Sequence, residues 1–280
     1  MTIGQGILLG VVQGSTEFLP VSSSGHLTVI QHLLTYDDIP LLFDVCLHVA
    51  TLAAVIVFFR KKLGALCATV FRLITRRTVP DEQALAERAH QQLIAAIITT
   101  TAITAIIGVG TSRLIPALPL KAVFIGFILT GGILCAASWQ EKKRQPCSDA
   151  DAPAPYVLTA KQALIIGCAQ GIGTLPGISR SGATIAGALF AGVPRIDAGE
   201  FSFIVSIPAI FGAFILELKD VGTVSESIGM APVIAGCIAA AVSGYGALAV
   251  LMQIVKRGKL VWFAAYLIPL GILGLVFAVK

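Results

Sequence analysis

Four stretches of this chain run for the length of a membrane span without one charged side chain: Leu93 to Gly110, Ala122 to Trp139, Ile228 to Val255 and Leu260 to Val279. A helix needs about 20 mainly apolar residues to cross the hydrocarbon core. No water is present there to satisfy a free backbone group, so such runs read as helices. The whole chain is 56% apolar and 12% charged, about half the charged share of a soluble domain. That excludes a disordered chain, a disulfide scaffold and a nucleic-acid-binding domain. The net charge of +5 is therefore a topology signal before it is a ligand signal. Met1 to Thr16 has no Lys or Arg, so it lacks the basic start of a cleaved signal. Cys46, Cys67, Cys135, Cys147, Cys168 and Cys237 form no CxxC pair and read as small packing residues.

Six segments are expected to span: 42–59, 91–111, 120–139, 200–217, 230–255 and 260–279. Two further apolar stretches are interrupted. Residues 3–34 are broken by Glu17, Pro20 and Ser22-Ser23-Ser24-Gly25-His26, and residues 162–192 by Pro176 and Ser179-Arg180-Ser181-Gly182. Each half is too short to span alone, and its freed backbone groups cannot face lipid. Two hairpins that enter the membrane and turn back fit the pattern. They also match each other. An offset of 157 places Gly10, Gln13, Gly14, Ser22, Ser24 and Gly25 on Gly167, Gln170, Gly171, Ser179, Ser181 and Gly182.

The expected fold is thus an all-α polytopic membrane protein with inverted-topology repeats, six spanning helices and two re-entrant helical hairpins. Residues 1–140 form one repeat, 141–161 a connector and 162–280 the second repeat. Three spans per repeat turn the second copy upside down, and interrupted helices meeting at the midplane are where ligand sites form in such designs. Basic residues crowd one set of loops, with Arg60, Lys61, Lys62, Arg72, Arg76, Arg77, Arg88, Lys142, Lys143, Arg144, Lys161, Arg195, Lys256, Arg257 and Lys259. The other set holds Arg113, Lys121, Lys219 and Lys280. The positive-inside rule puts the first set in the cytoplasm and both termini outside. Gln145 to Pro155, rich in Pro and Asp, reads as a flexible cytoplasmic connector.

Glu17 and Arg180 carry the most information. A charge at the centre of a lone membrane helix costs about 2.5–3.5 kcal/mol or more, so such residues are paired or line a wet cavity. Each sits in one of the matching hairpins, so the two approach if the hairpin tips meet. Ser22, Ser23, Ser24 and Gly25 precede one apolar run, and Ser179, Ser181 and Gly182 precede another. Both read as capped helix starts, and two helix N-termini aimed at one point attract an anion. Arg180 adds a planar fork suited to phosphate oxygens. His26, close behind Ser23, is placed to activate a hydroxyl or to attack directly. Asp44 and His48 share a helical face. They either line the same cavity or cap the span at the outer interface.

The segment Gln13-Gly14-Ser15-Thr16-Glu17-Phe18-Leu19-Pro20-Val21-Ser22-Ser23-Ser24-Gly25-His26 resembles the first signature of the undecaprenyl pyrophosphate phosphatases of the bacitracin-resistance type. Leu175-Pro176-Gly177-Ile178-Ser179-Arg180-Ser181-Gly182-Ala183-Thr184 resembles the second, and Glu200-Phe201-Ser202-Phe203 is a further similar stretch. The resemblance covers nearly the whole chain. It implies a multi-pass enzyme of the bacterial inner membrane that removes the terminal phosphate of a C55 isoprenyl diphosphate, recycling the lipid carrier of cell-wall synthesis. It implies a divalent cation, Mg²⁺ or Ca²⁺, with Glu17 and Gln13 as metal residues. It assigns Ser23 as nucleophile or phosphate-binding serine and His26 as base or alternative nucleophile. Glu17 is the acid tied to metal or to His26. Arg180 holds the diphosphate, with Ser22, Ser24, Gly25, Ser179, Ser181, Gly182 and Thr184 around it. Many members carry Glu where this chain has Gln13, which leaves a carbonyl oxygen without charge. The expected partners are the polyprenyl diphosphate, membrane lipids and, as an assembly the sequence allows, a second copy in a homodimer. A flippase or transporter using the same site is the alternative. An acid-phosphatase-like lipid phosphatase ranks low, because Ala186 stands where that family needs a His.

Overall fold

The computed structural model describes residues 1–34, 39, 41–77, 79–114, 119–143, 156–217 and 229–277. The expected connector at 145–155 with Cys147, the charges Arg144, Lys219 and Lys280, and the side chain of Arg113 lie outside these residues. Among the described residues the fold is all helical. In chain order the helices are α1 Ile3–Glu17, α2 Ser23–Leu33, α3 Leu41–Phe58, α4 Arg60–Thr75, α5 Asp81–Leu114 and α6 Leu120–Lys143. They continue with α7 Ala160–Ile172, α8 Arg180–Phe190, α9 Arg195–Glu217, α10 Met230–Lys256 and α11 Val261–Phe277. The chain is a multi-pass membrane protein. Four stretches are long and apolar enough to span: Glu82–Thr111, Leu120–Lys143, Arg195–Leu216 and Met230–Lys256.

Two of the six expected spans differ. The segment expected at 42–59 ends at Phe58, where the chain bends by 86° into α4. The sequence reading took Arg60 to Arg77 as loop, because Arg60, Lys61, Lys62 and Arg72 break the apolar run. An amphipathic helix needs only one apolar face, and length-of-run reasoning does not see it. α4 buries Leu66 and Thr69 and lies against α5, where Arg72 pairs with Glu87. The segment expected at 260–279 is the 17-residue helix α11, short of the usual span length over its described part.

The two interrupted stretches form helix pairs, α1–α2 and α7–α8. Their helices have 15, 11, 13 and 11 residues. At 1.5 Å per residue none exceeds about 23 Å, short of a 30 Å core. Their capping repeats at the 157-residue offset. Thr2 and Gln5 form a capping box at the start of α1, and Thr159 and Gln162 form one at the start of α7. The Ser22 side chain accepts from Gly25 N at the start of α2, and the Ser179 side chain from Gly182 N at the start of α8. Both pairs satisfy backbone donors that would otherwise be orphaned.

Small residues let these short helices approach long ones. α1 packs along α10 and α7 along α5. A Cβ added at Gly10 would stand 2.2 Å from the Gly236 carbonyl oxygen, so backbone touches backbone there. Lipid tails are as apolar as leucine, so this contact is driven by close packing rather than by the hydrophobic effect. α8 is the most enclosed helix of the four. Every residue from Ser181 to Leu189 is buried, held among α6, α7 and α9. The outward faces carry large apolar side chains, such as Ile106 and Trp262, as a lipid-solvated surface requires.

Candidate active site

Glu17 closes α1, and the turn from Phe18 to Ser22 leads into α2. Ser22 holds a left-handed backbone, φ 70°, which costs a non-Gly residue about 1–2 kcal/mol. The return is local: the Ser22 hydroxyl accepts from Gly25 N at 3.3 Å, and its carbonyl accepts from His26 N at 3.1 Å and lies 2.8 Å from His26 Nδ1. Gly25 has no room for a side chain, since a Cβ there would meet the Phe127 ring at 2.4 Å. Across from this turn Ser179 caps α8. Its N–H donates to Thr130 Oγ1 at 3.0 Å and its hydroxyl lies 3.1 Å from that of Ser181.

The two turns touch. The Ser181 hydroxyl donates to the Leu19 carbonyl at 3.3 Å, and a Cβ on Gly182 would reach Pro20 Cβ at 3.2 Å. At this junction Arg180, the first residue of α8, pairs with Glu17 Oε1. The other carboxylate oxygen, Oε2, accepts from Ser23 Oγ at 2.6 Å and from Gln13 Nε2 at 2.8 Å. His48 Nε2 stands 3.4 Å from it. The Glu17 side chain is 2% exposed, so the carboxylate is a buried hub joining both helix pairs and α3. The charge that would be prohibitive alone is offset by a guanidinium and several polar hydrogens.

Of the residues singled out in the sequence, the structure brings Glu17, Gln13, Ser23 and Arg180 into direct contact. Ser22 and Ser179 act through capping, and Ser181 ties the two turns. The Thr184 hydroxyl donates to the Arg180 carbonyl at 2.6 Å, so it supports α8. Ser24 accepts at its carbonyl from Thr28 at 2.9 Å. His26 does not face Ser23. Its Nδ1 faces a carbonyl and must carry the proton; its Nε2 then accepts from the Tyr266 hydroxyl at 2.8 Å. The ring lies between Phe127 and Tyr266, 5.0 and 5.8 Å away.

Two residues enter that the motifs did not assign. His48 reaches Glu17 from α3, which places it beside the buried carboxylate. Asp44 stays one turn off, accepting from Gln31 Nε2 at 2.9 Å. Its spacing from His48 was the signal available. Tyr266 had none: it sits in an apolar helix 240 residues from His26 and reads as an interfacial aromatic.

The donor set fits a resident divalent cation poorly. Mg²⁺ and Ca²⁺ take six or more oxygens. No group of three or more His, Cys, Asp or Glu able to hold a metal occurs among the described residues. Both Glu17 oxygens already accept polar hydrogens. Gln13 Oε1, on the residue that donates to Glu17, is buried and without a hydrogen-bond partner.

This site can do hydroxyl chemistry on an anion: a serine against a carboxylate, beside a guanidinium, at two helix starts. Comparison with known proteins agrees. Residues 6–273 match the family described as Bacitracin resistance protein BacA. The undecaprenyl-diphosphatase of Treponema denticola is 44% identical over 97% of this chain and 96% of its own. That of Desulfosudis oleivorans is 41% identical over 95% of each chain. That of Carboxydothermus hydrogenoformans is 37% identical, covering 97% of this chain and 96% of its own. With both signatures meeting at one carboxylate and the match running nearly end to end, this chain belongs to the bacitracin resistance protein BacA family.

Proposed function

We propose that this chain is an undecaprenyl-diphosphate phosphatase of the bacterial inner membrane, converting the C55 diphosphate to the monophosphate and phosphate. The observation that carries the reading is the Glu17 carboxylate, which holds Ser23 Oγ on one oxygen and Arg180 on the other. A carboxylate 2.6 Å from a hydroxyl can take its proton as the oxygen attacks. The Arg180 nitrogens not engaged by Glu17 are left for phosphate oxygens, where a planar fork stabilises the developing charge.

In the first step Ser23 Oγ bonds to the terminal phosphorus and its proton moves to Glu17. The anhydride P–O bond breaks, and undecaprenyl monophosphate leaves, taking the proton from Glu17. In the second step water attacks the phosphoserine. The Ser23–phosphorus bond breaks and phosphate departs with one of the water's hydrogens. The other returns through Glu17 to Ser23. His26 is better suited to position the turn than to attack, since both its nitrogens are engaged.

A divalent cation is proposed to arrive with the diphosphate rather than to reside in a protein cage. The matching caps of α1–α2 and α7–α8 support the reading of two re-entrant hairpins in inverted repeats. The basic residues of α4 and of the α10–α11 turn support a cytoplasmic placement for that side.

Phosphate release from undecaprenyl diphosphate by the purified protein tests the reading. Activity is expected in the parent and a loss of about 10³-fold or more in Ser23→Ala, which removes the nucleophile. Full activity in Ser23→Ala would overturn the serine mechanism, and no release by the parent would overturn the function.

A further inference from the structure

The catalytic cluster adjoins an apolar groove that neither the motifs nor the family match assigns. The groove encloses about 360 Å³. Its walls are Leu19 and Val21 from the first turn, Ile254 near the end of α10, and Trp262, Phe263 and Tyr266 from the start of α11. Ser15 and Thr16, next to Glu17 on α1, complete it. Trp262 is 59% exposed, with Lys259 Nζ 4.6 Å from its ring. That pairing of an aromatic with a lysine marks a membrane–water boundary.

The groove borders the turn that carries the reacting groups. Tyr266 forms part of its wall and at the same time donates to His26 Nε2. Val21 is two residues from Ser23, and Thr16 is one from Glu17. An amphiphile whose phosphate meets Arg180 and Ser23 therefore has its chain leaving past these walls. A second groove, lined by Phe58, Ile196, Ala249, Met252, Gln253 and Lys256, shares no residue with the hairpin turns. It offers no such path.

We infer that the groove between α1, α10 and α11 seats the isoprene units of the substrate nearest the diphosphate. This rests on the phosphatase reading above. Its contribution is placement, not transfer out of water. The chain already lies among lipid tails, which are as apolar as the groove, so burial there gains little. What the groove adds is a fixed exit direction, which holds the phosphorus before Ser23 instead of leaving it to wander along the bilayer. Misplacement of a reacting group by as little as 1 Å can cost a factor of about 10².

The test uses the full chain in detergent or lipid nanodiscs. Ile254→Trp fills the groove without touching Glu17, Ser23, His26 or Arg180. It is expected to lower kcat for undecaprenyl diphosphate at least about tenfold, and to change kcat more than KM. Ala249→Trp, in the second groove, is expected to change neither by more than about twofold. An unchanged kcat in Ile254→Trp, or the same fall in Ala249→Trp, overturns the assignment. A second measurement does not depend on the variants folding. A polyprenyl diphosphate bearing a photoreactive diazirine on its second isoprene unit is cross-linked to the parent protein. Labelling of Val21, Ile254, Trp262 or Phe263 supports the groove, and labelling confined to other surfaces overturns it. If the parent releases no phosphate at all, the phosphatase reading fails, while the cross-link still reports whether the chain lies here.

Discussion

Replacing Glu17 by Gln perturbs the hub with the least change of shape, and the structure sets the size of the effect. A carboxylate accepts on two oxygens, here from Arg180 on one and from Ser23 and Gln13 on the other. An amide accepts on one oxygen and presents N–H groups in place of the second, so it cannot serve both sides. Arg180, 19% exposed along its side chain, is left without its counter-ion. Removing one partner of a buried pair costs 3–5 kcal/mol, and partial access to water favours the lower end, about 3 kcal/mol. Arg180→Met is milder, about 2 kcal/mol, because Glu17 keeps the Ser23 and Gln13 hydrogen bonds and each such bond to a charge contributes about 1.5–3 kcal/mol. The double variant contains neither stranded charge, and its cost is expected at about 2 kcal/mol rather than the sum of the two singles. The favourable coupling is then about 3 kcal/mol, at the top of the range for contacting residues. Reversible denaturant titration of the four proteins in one detergent measures it. Additive costs within about 0.5 kcal/mol would refute the hub. Activity gives a separate reading, since Glu17→Gln also removes the proton acceptor for Ser23 and should lower kcat by about 10²–10⁴-fold.

Arg180→Lys should keep the folded state and lose most activity, because a point charge does not replace a planar fork; near-normal turnover would remove the phosphate-clamp role. Gln13→Glu places a second carboxylate one helical turn from Glu17, and the two should repel unless a cation joins them. Less Mg²⁺ or Ca²⁺ should then be needed for half-maximal rate, and an unchanged midpoint in a metal titration would take Gln13 out of the site. Tyr266→Phe keeps the groove wall but removes the donor to His26 Nε2, a hydrogen bond with a net value of about 1 kcal/mol. A fall in kcat of about fivefold with little change in KM is expected, and a loss as deep as that of Ser23→Ala would make His26 a reacting group instead.

Much of the site was legible in the sequence because its chemistry is local. Glu17 and Arg180 are charges where charges are expensive, and Ser23 and Ser179 stand where helices must start. The 157-residue offset that aligned the motifs also aligns the caps Thr2 with Thr159 and Ser22 with Ser179. The spans over α5, α6, α9 and α10 were legible because each carries an apolar run long enough to cross a membrane. α4 was not, because its apolar residues occupy one face and its basic residues interrupt every window. Nor was the bend after Phe58, which packing against α5 permits and no Pro or Gly announces. The pairing of His26 with Tyr266 rests on contact between remote helices, which no local pattern encodes. The same holds for the direction His26 faces: sequence proximity to Ser23 suggested a pair, but the left-handed Ser22 turns its carbonyl to the ring and aims the imidazole at α11.

The ion pair between Glu17 and Arg180 also has a consequence for how the protein is made. The two residues are 163 positions apart. At 5–20 residues per second, Arg180 is synthesised roughly ten to thirty seconds after Glu17. During that interval α1 and α2 carry a carboxylate with no guanidinium to meet it, at a price of about 3 kcal/mol if it enters the lipid alone. α10, the long helix against which α1 packs, emerges later still. The α1–α2 pair is therefore less stable in lipid when it is made than after its partners arrive. It should wait at the watery edge of the insertion machinery and close into the membrane only after the second half has arrived, so that the site and the fold are completed in the same event.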